Sequence, residues 1–194
     1  MMIRRAFMLL ACLALSACHH TFSPQDVSVV GLVPDLAFNM TDVNTGKPVS
    51  AADFKGKVTL LYFGYTHCPD VCPATLYNLT RIFKKMGAAG RDVRVLFVTV
   101  DPSRDTPDVL KRYTSLFGEN FIGLRGNADQ IYSLARRYRV VFSVTKTPTY
   151  TVTHSAAVYV FNPQGKPQFI IAGLDTNMPD IKGIATDLTY VGKE

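Results

Sequence analysis

The sequence predicts an α/β fold, and three observations support this class. Two continuous apolar runs, 58–65 and 93–100, are typical of strands buried on both faces of a sheet. Each run is followed by a segment in which apolar residues recur at helical spacing, which indicates alternating strands and helices. A strand–turn–strand pattern at 150–173 and a helical segment then close the chain. The 194 residues contain no repeat and no internal linker beyond the N-terminal region, so they predict one domain with a tail.

The N-terminus resembles a bacterial lipoprotein signal peptide, which is expected to comprise residues 1–17. Arg4 and Arg5 precede an apolar stretch at 6–15 that is too short to span a bilayer comfortably. The Leu-Ser-Ala-Cys sequence that ends at Cys18 resembles a lipobox, which implies cleavage before this cysteine and lipidation of its thiol. An ordinary signal peptide or a short membrane anchor is the alternative interpretation.

Residues 18–34 are predicted to form a membrane-tethering linker to a domain at 35–194, because most of this stretch is polar and irregular. Its adjacent histidines, His19 and His20, could contact a metal, but they are interpreted as linker residues. The formal net charge is +6, and removal of the signal peptide with its two arginines leaves +4. This mild charge, without a long Lys/Arg run or interleaved aromatic residues, indicates a solvated surface near anionic headgroups and no nucleic-acid partner.

The domain is expected to begin with an N-terminal hairpin extension from Asp35, where turn residues separate two strand-like segments. The run 58–65 is the first buried strand. A helix over 74–86 follows, because Pro73 suits a first helical turn and Gly87 suits a helix end. The apolar residues of this helix recur at helical spacing: Leu76, Leu79, Ile82, Phe83 and Met86.

The second half of the domain repeats this alternation. The run 93–100 is a second buried strand, and a turn at 101–107 leads into a helix that continues to about Phe117. The remaining predicted elements are a short strand or connector at 121–126, a helix at 128–140, a hairpin at 150–173 with its turn at 162–166, and a final helix at 180–190.

Cys68 and Cys72 are the candidate chemical groups of the domain. Of the four cysteines, Cys12 leaves with the signal peptide and Cys18 carries the lipid, so this pair remains. Outside the inner membrane an unprotected dithiol tends to form a disulfide. A disulfide that closes so short a loop removes little chain entropy, so the pair favours chemistry over a structural role.

The predicted position of the pair favours ionised thiols. The preceding strand is expected to end near Thr66, which leaves Cys68 in a loop and Cys72 at the N-cap or first turn of the helix. Both thiols are expected to ionise easily there, because unpaired N–H groups and the helix dipole lower a thiol pKa. Redox motifs of this kind usually have two residues between the cysteines. The three found here favour a metal without forbidding a disulfide.

His154 is the candidate third metal ligand. On an alternating strand it shares a face with Val152 and Ala156, where a lone histidine is usually structural. The strand–cysteine–helix junction, however, is typical of thioredoxin-like domains. The predicted fold is therefore a thioredoxin-like central sheet flanked by helices, with the N-terminal hairpin extension. In such a sheet the start of the late hairpin runs beside the cysteine loop, so the imidazole and both thiolates can meet at one ion.

Copper suits two sulfur ligands and one nitrogen ligand better than zinc does. Thiolates select soft metals, and copper leads the divalent affinity order. Structural zinc needs four protein ligands, and His67 is expected to point away from the site. Asp70 is either a charge that tunes the site or a solvated turn residue. Three aromatic residues either wall the site or belong to the core: Tyr62, Phe63 and Tyr65.

Three segments resemble the Sco/SenC family of copper proteins. Residues 62–73 are similar to its metal-binding loop, 99–113 to the segment after its second core strand, and 153–166 to its histidine-bearing hairpin. The resemblance extends from about residue 35 to residue 173, in the family's order. It implies a thioredoxin-like fold that is tethered to a membrane and faces the periplasm or an equivalent space.

The resemblance also implies copper, as Cu(I), Cu(II) or both, bound by residues that match Cys68, Cys72 and His154. It implies a role in building the binuclear copper centre of cytochrome c oxidase, by delivering copper or by reducing the cysteines of the target. The implied partners are the copper-centre subunit of the oxidase, an upstream copper chaperone, and the membrane that holds the lipid anchor.

One position departs from the family pattern. Many relatives have aspartate directly before the histidine, where this chain has Thr153. The groups that support the imidazole are therefore expected to differ here, with consequences for affinity and redox tuning. The 101–107 segment is expected to be a structural turn and helix cap.

Three functions are compatible with these residues to different degrees. A copper-binding assembly factor that is not an enzyme needs all three ligands, whereas a thiol–disulfide reductase needs only the two cysteines. Peroxide reduction is disfavoured, because the positions that match the proline and hydroxyl residues of peroxiredoxins hold Tyr65 and Pro69.

Overall fold

The structure is a computed structural model that describes residues 22–145, 148 and 150–193. The predicted signal peptide, the predicted lipidation site Cys18 and the two histidines after it lie outside the described residues. In the part described, ten strands and four α-helices form a mixed α/β architecture, which confirms the predicted fold class. No helix within this part is both long enough and apolar enough to cross a bilayer.

The elements follow the predicted alternation for most of the chain. The strands are β1 (Asp26–Ser28), β2 (Asn39–Asp42), β3 (Pro48–Ser50), β4 (Val58–Gly64), β5 (Val93–Thr99), β6 (Phe121–Arg125), β7 (Phe142–Thr145), β8 (Thr151–His154), β9 (Val158–Phe161) and β10 (Pro167–Ile171). The α-helices are α1 (Val71–Met86), α2 (Pro107–Ser115), α3 (Ala128–Arg137) and α4 (Ile181–Val191), and short 3-10 helices lie at Ala51–Phe54 and Ala89–Asp92.

Eight of the strands form one sheet, in the order β1-β10-β9-β4-β5-β6-β2-β3. β4, β5 and β6 run parallel, and β9 lies antiparallel to β4. Every residue of β4 is buried, as its unbroken apolar sequence predicts. The central sheet with its helices, together with the β2–β3 hairpin, matches the predicted thioredoxin-like architecture and hairpin extension.

The carboxyl end of β4 and the start of α1 position the cysteine loop. Leu76, Leu79 and Ile82 of α1 are completely buried in the hydrophobic core, and burial of each contributes about 1.5–3 kcal/mol. Gly87 ends the helix with a φ of 63°, a left-handed conformation that glycine adopts without a steric penalty. The packed face of α1 therefore fixes its first turn, which contains Cys72, relative to the sheet.

Part of the predicted linker is ordered on the domain. β1 lies within it and pairs antiparallel with β10 at one edge of the sheet. Val29, just after this strand, is buried, and the ring of Phe22 lies 5.2 Å from that of Phe169. The hydrogen bonds of β1 come from a strand far along the chain, so the local pattern of polar residues carried no signal for it.

The predicted hairpin at 150–173 was wrong in its first half. β9 and β10 pair through the predicted turn, but β8 pairs instead with β7 in a separate two-stranded sheet. β7 was not predicted, because it is short and its partner lies beyond an intervening loop. His154 consequently ends a small hairpin of its own rather than beginning a strand of the main sheet.

Candidate metal centre

The structure brings together the three side chains that the sequence proposed as metal ligands. Cys68 lies in the loop after β4, Cys72 is the second residue of α1, and His154 is the last residue of β8. One ligand atom from each lies within 4.8 Å of the other two. Cys72 Sγ lies 3.2 Å from His154 Nε2. Two sulfurs and one imidazole nitrogen are a donor set that suits a soft metal ion.

The group is closed on one side and open on the other. Cys72 is completely buried, whereas Cys68 and His154 are half-buried. The half-buried pair leaves an accessible side through which an ion or another thiol can reach the sulfurs. The strand before the cysteine loop ends at Gly64, close to the predicted end at Thr66.

The backbone orients the imidazole of His154. Its Nδ1 lies 2.9 Å from the carbonyl oxygen of Ser155, which can only accept, so Nδ1 carries the proton. Nε2 is then the nitrogen with a free lone pair, and it faces Cys72. Thr153 does not contribute, because its hydroxyl pairs with that of Ser143 across the hairpin at 2.8 Å. A backbone carbonyl therefore gives this histidine the support that the departure at Thr153 left in question.

Two aromatic rings wall the imidazole. The rings of Tyr62 and Tyr65 lie edge-on to that of His154, with centroids 6.0 Å and 5.8 Å away. The hydroxyl of Tyr65 also donates to the carbonyl of Val152, at 3.3 Å. These two residues both line the site and belong to the core, so the two interpretations given by the sequence are compatible.

The pKa values of the two thiols are shifted in opposite directions. Hydrogen bonding from Cys72, its side chain above all, lowers the pKa of Cys68 far below its usual value, although burial opposes this. The hydrogen bond to Cys68 and burial raise the pKa of Cys72. The expectation that both thiols ionise easily was therefore wrong for Cys72, because a second negative charge beside the first is unfavourable at a sulfur that is shielded from water. A bound cation would remove that penalty.

Alkylation should reveal this asymmetry in the reduced, metal-free protein. Iodoacetamide is expected to modify Cys68 first, and the rate should stay nearly constant from pH 8 to pH 5. The reason is that a thiol with a lowered pKa remains a thiolate over this range, whereas an ordinary thiol loses about tenfold in rate per pH unit below its pKa. Peptide mapping by mass spectrometry identifies the modified residue. Equal modification of Cys68 and Cys72 would contradict the assignment.

Two residues near the site that the sequence analysis considered, His67 and Asp70, lie outside the ligand group. His67 is exposed, and its Nδ1 faces the hydroxyl of Thr66 at 3.1 Å and Asp105 at 3.7 Å. Asp70 is exposed at the N-cap of α1, and its side chain makes no capping bond there. His67 thus points away as predicted, and the structure favours the solvated turn residue for Asp70.

The 101–107 segment does more than the predicted turn and cap. Thr106 does cap α2, since its side chain accepts from the backbone of Val109. Asp105, however, is completely buried and holds the cysteine loop, because it accepts from both the backbone and the hydroxyl of Thr66, at 3.1 Å and 2.6 Å. It also accepts from the hydroxyl of Thr99 at 2.6 Å. The sequence feature that could have indicated this role is the pair of aspartates, Asp101 and Asp105, that follows the carboxyl end of β5, the strand next to β4.

Known proteins are similar to this chain in both sequence and fold. The SCO1/SenC family profile matches residues 34–188. The mitochondrial protein SCO2 of Saccharomyces cerevisiae is 43% identical over 152 residues, which are 76% of this chain and 49% of that protein. The chain thus spans about half the length of this curated relative.

Solved structures agree with the sequence match. The copper-bound structure of ScoI from Bradyrhizobium japonicum has a TM-score of 0.69 and 37% identity, and covers 81% of this chain and 98% of its own. The structure of BsSco has a TM-score of 0.68 and 26% identity, and covers 84% of this chain and 95% of its own. BsSco is described as having a disulfide switch and as a member of the Sco family of cytochrome c oxidase assembly proteins. On the matched residues and the fold together, this chain belongs to the SCO1/SenC family.

Proposed function

We propose that this protein binds copper through Cys68, Cys72 and His154 and delivers it to the copper centre of cytochrome c oxidase. The observation that carries the proposal is the convergence of two sulfurs and one imidazole nitrogen within 4.8 Å of one another. Ligands from two distant parts of the chain are brought to one point, whereas a dithiol site would require only the cysteine loop.

The donor set and the exposure of the site support copper as a cargo. Two sulfur donors favour a soft ion, and three protein ligands leave a position free for a ligand of the acceptor. Because Cys68 and His154 are only half-buried, the acceptor can approach the ion without unfolding of the domain. The implied partners are the copper-centre subunit of the oxidase as acceptor and an upstream copper chaperone as donor.

Gene deletion with copper supplementation tests delivery. Loss of the protein is expected to lower oxidase activity, and added copper is expected to restore it, because excess ion bypasses a carrier. A titration of the reduced protein should also reach one copper per chain. Failure of copper to restore activity would contradict delivery and leave thiol reduction ahead.

A thiol–disulfide reductase is the second candidate, and the asymmetry of the two thiols favours it. An accessible Cys68 thiolate beside a buried, protonated Cys72 is the arrangement of an attacking thiol and a resolving thiol. The test is the reduction potential of the pair together with its exchange with an oxidised peptide of the oxidase copper site. A reductase should keep this exchange in His154→Ala, whereas a copper carrier needs the histidine.

Membrane attachment through Cys18 completes the proposed function, with the domain facing the periplasm. Only three residues separate this cysteine from Phe22, whose ring packs on Phe169 and Tyr190. A lipid on Cys18 would therefore hold the domain close to the membrane, because each residue spans at most about 3.6 Å. Labelling of cells with an alkyne fatty acid should mark the wild-type protein and leave Cys18→Ala unmarked.

A further inference from the structure

We propose that Asp101, Arg104 and Tyr150 form a latch that holds the β7–β8 hairpin against the cysteine loop, and that this latch sets how fast copper leaves the site. The three residues would act on the ion through the position of His154, so they are positioning residues and not ligands. The proposal rests on copper binding as proposed above.

In the described part of the chain, no strand of the main sheet pairs with the hairpin that carries His154. β7 and β8 pair with each other and with no other strand of the described chain. Strand pairing therefore fixes the shape of the hairpin but not its place relative to the cysteines. Side-chain contacts, together with the short segment that joins His154 to β9, therefore determine how far the imidazole lies from the two sulfurs.

Tyr150, directly before β8, makes several of these contacts at once. Its hydroxyl donates to Asp101 Oδ1 at 2.6 Å and lies 3.1 Å from the hydroxyl of Ser103. The guanidinium of Arg104 lies over the ring of Tyr150, 3.8 Å from its centroid, and its Nε donates to the other oxygen of Asp101. A charge-assisted hydrogen bond and a cation–π contact thus converge on one side chain of the hairpin.

Asp101, which accepts the hydrogen bond from Tyr150, is itself buried and held in place by backbone hydrogen bonds. It is 1% exposed, its backbone N–H donates to the hydroxyl of Thr99 at 3.0 Å, and its carbonyl accepts from the backbone of Asp105 at 2.9 Å. Burial opposes its ionisation, but hydrogen bonds from Tyr150 and Arg104 outweigh this and hold the pKa of Asp101 below its usual value. A carboxylate is therefore present to accept.

One short segment consequently positions both halves of the metal centre. Asp105 holds Thr66, two residues before Cys68, while Asp101 holds Tyr150, four residues before His154. Tyr65 adds a second link, because its hydroxyl donates to the carbonyl of Val152. Breaking the contact at Tyr150 should leave the dithiol in place and let the imidazole move away.

Tyr150→Phe is the variant that tests the latch. It keeps a ring beneath Arg104 and removes only the hydroxyl that reaches Asp101. Ser143→Ala is the matched control, because it also removes a hydroxyl from the hairpin, but one whose partner, Thr153, lies within the hairpin itself.

Two measurements are made on each variant. In the metal-free protein, hydrogen–deuterium exchange of the amides at 142–145 and 151–154 is expected to become about tenfold faster in Tyr150→Phe, with exchange in α1 unchanged. In the copper-loaded protein, transfer of the ion to an excess of chelator is expected to become about tenfold faster, equivalent to about 1.4 kcal/mol. Ser143→Ala should match the wild type in transfer rate.

The proposal fails if Tyr150→Phe exchanges and releases copper at wild-type rates. It also fails if Ser143→Ala accelerates copper transfer as much as Tyr150→Phe does, since any loosening of the hairpin would then suffice. If the wild type binds no copper, the proposed function fails, and the hydrogen-exchange comparison still decides whether the latch exists. Asp101→Asn provides a second variant, with the same expected direction in both measurements.

Discussion

Replacement of Cys72 by serine is expected to weaken copper binding more than about 100-fold, beyond the range typical for loss of a group that merely supports a ligand. Its sulfur is completely buried and lies 3.2 Å from His154 Nε2, so no solvent-exposed donor can take its place. A serine hydroxyl is a hard, neutral donor that a soft ion binds poorly. Competition for Cu(I) between the reduced protein and a chelator of known affinity measures the change.

Two single histidine variants, one inside and one outside the proposed ligand group, provide an internal control for this experiment. His154→Ala removes a proposed ligand and is expected to lower affinity by about 100-fold, at the upper end of the range for a group that merely supports a ligand, but less than loss of a thiolate does. His67→Ala removes an exposed imidazole next to Cys68 that lies outside the ligand group, and its affinity should equal that of the wild type. Wild-type affinity in Cys72→Ser, or equal losses in both histidine variants, would refute the proposed ligand set.

Replacement of Asp105 by alanine is expected to lower the free energy of unfolding by about 3–5 kcal/mol. The carboxylate is completely buried and accepts three hydrogen bonds, two from Thr66 and one from Thr99. Its removal leaves the buried Thr99 hydroxyl without this acceptor, at a cost of about 1–3 kcal/mol, and also breaks both hydrogen bonds from the half-buried Thr66. Urea unfolding of the metal-free, reduced protein, followed by far-ultraviolet circular dichroism, measures the loss.

Asp108→Ala is the matched control, because this exposed aspartate lies three residues further along the chain in the first turn of α2. It should change stability by less than about 0.5 kcal/mol. The Asp105 variant should also bind copper more weakly, since the loop that carries Cys68 loses its attachment at Thr66. A loss in Asp105→Ala no larger than that in the control would show that the buried carboxylate does not hold the loop.

The strands and helices of the main sheet could be predicted because their signals are local. The unbroken apolar run of β4 and the helical spacing of Leu76, Leu79 and Ile82 each report how one element is buried. The junction between them placed Cys68 and Cys72 correctly, in a loop and in a first helical turn. The same local reasoning failed for β1, which is short and pairs with a strand distant in the sequence, and for β7, a four-residue strand that pairs with β8 across a short loop.

The opposite pKa shifts of the two thiols could not be predicted from the local sequence either. A helix N-terminus lowers the pKa of any thiol placed there, so the sequence treated both cysteines alike. The structure separates them, because Cys72 is buried and donates to its neighbour, whereas Cys68 is half-exposed and accepts. Burial and mutual hydrogen bonding depend on packing around the pair, which spacing alone does not describe.

The amino-acid sequence by itself determined the fold class, the order of the main elements and the placement of Cys68 and Cys72, because each depends on residue type and short-range pattern. His154 became the third candidate ligand through the predicted thioredoxin-like fold and the family resemblance. Only the tertiary structure decided how His154 reaches the sulfurs, which backbone carbonyl orients it, and which side chains of the 101–107 segment hold both halves of the site. Apart from the carbonyl of the neighbouring Ser155, these contacts join residues about 40 to 80 positions apart. They exist only once the chain has packed, because a hydrogen bond depends on the distance and angle between its two groups and not on their separation along the sequence.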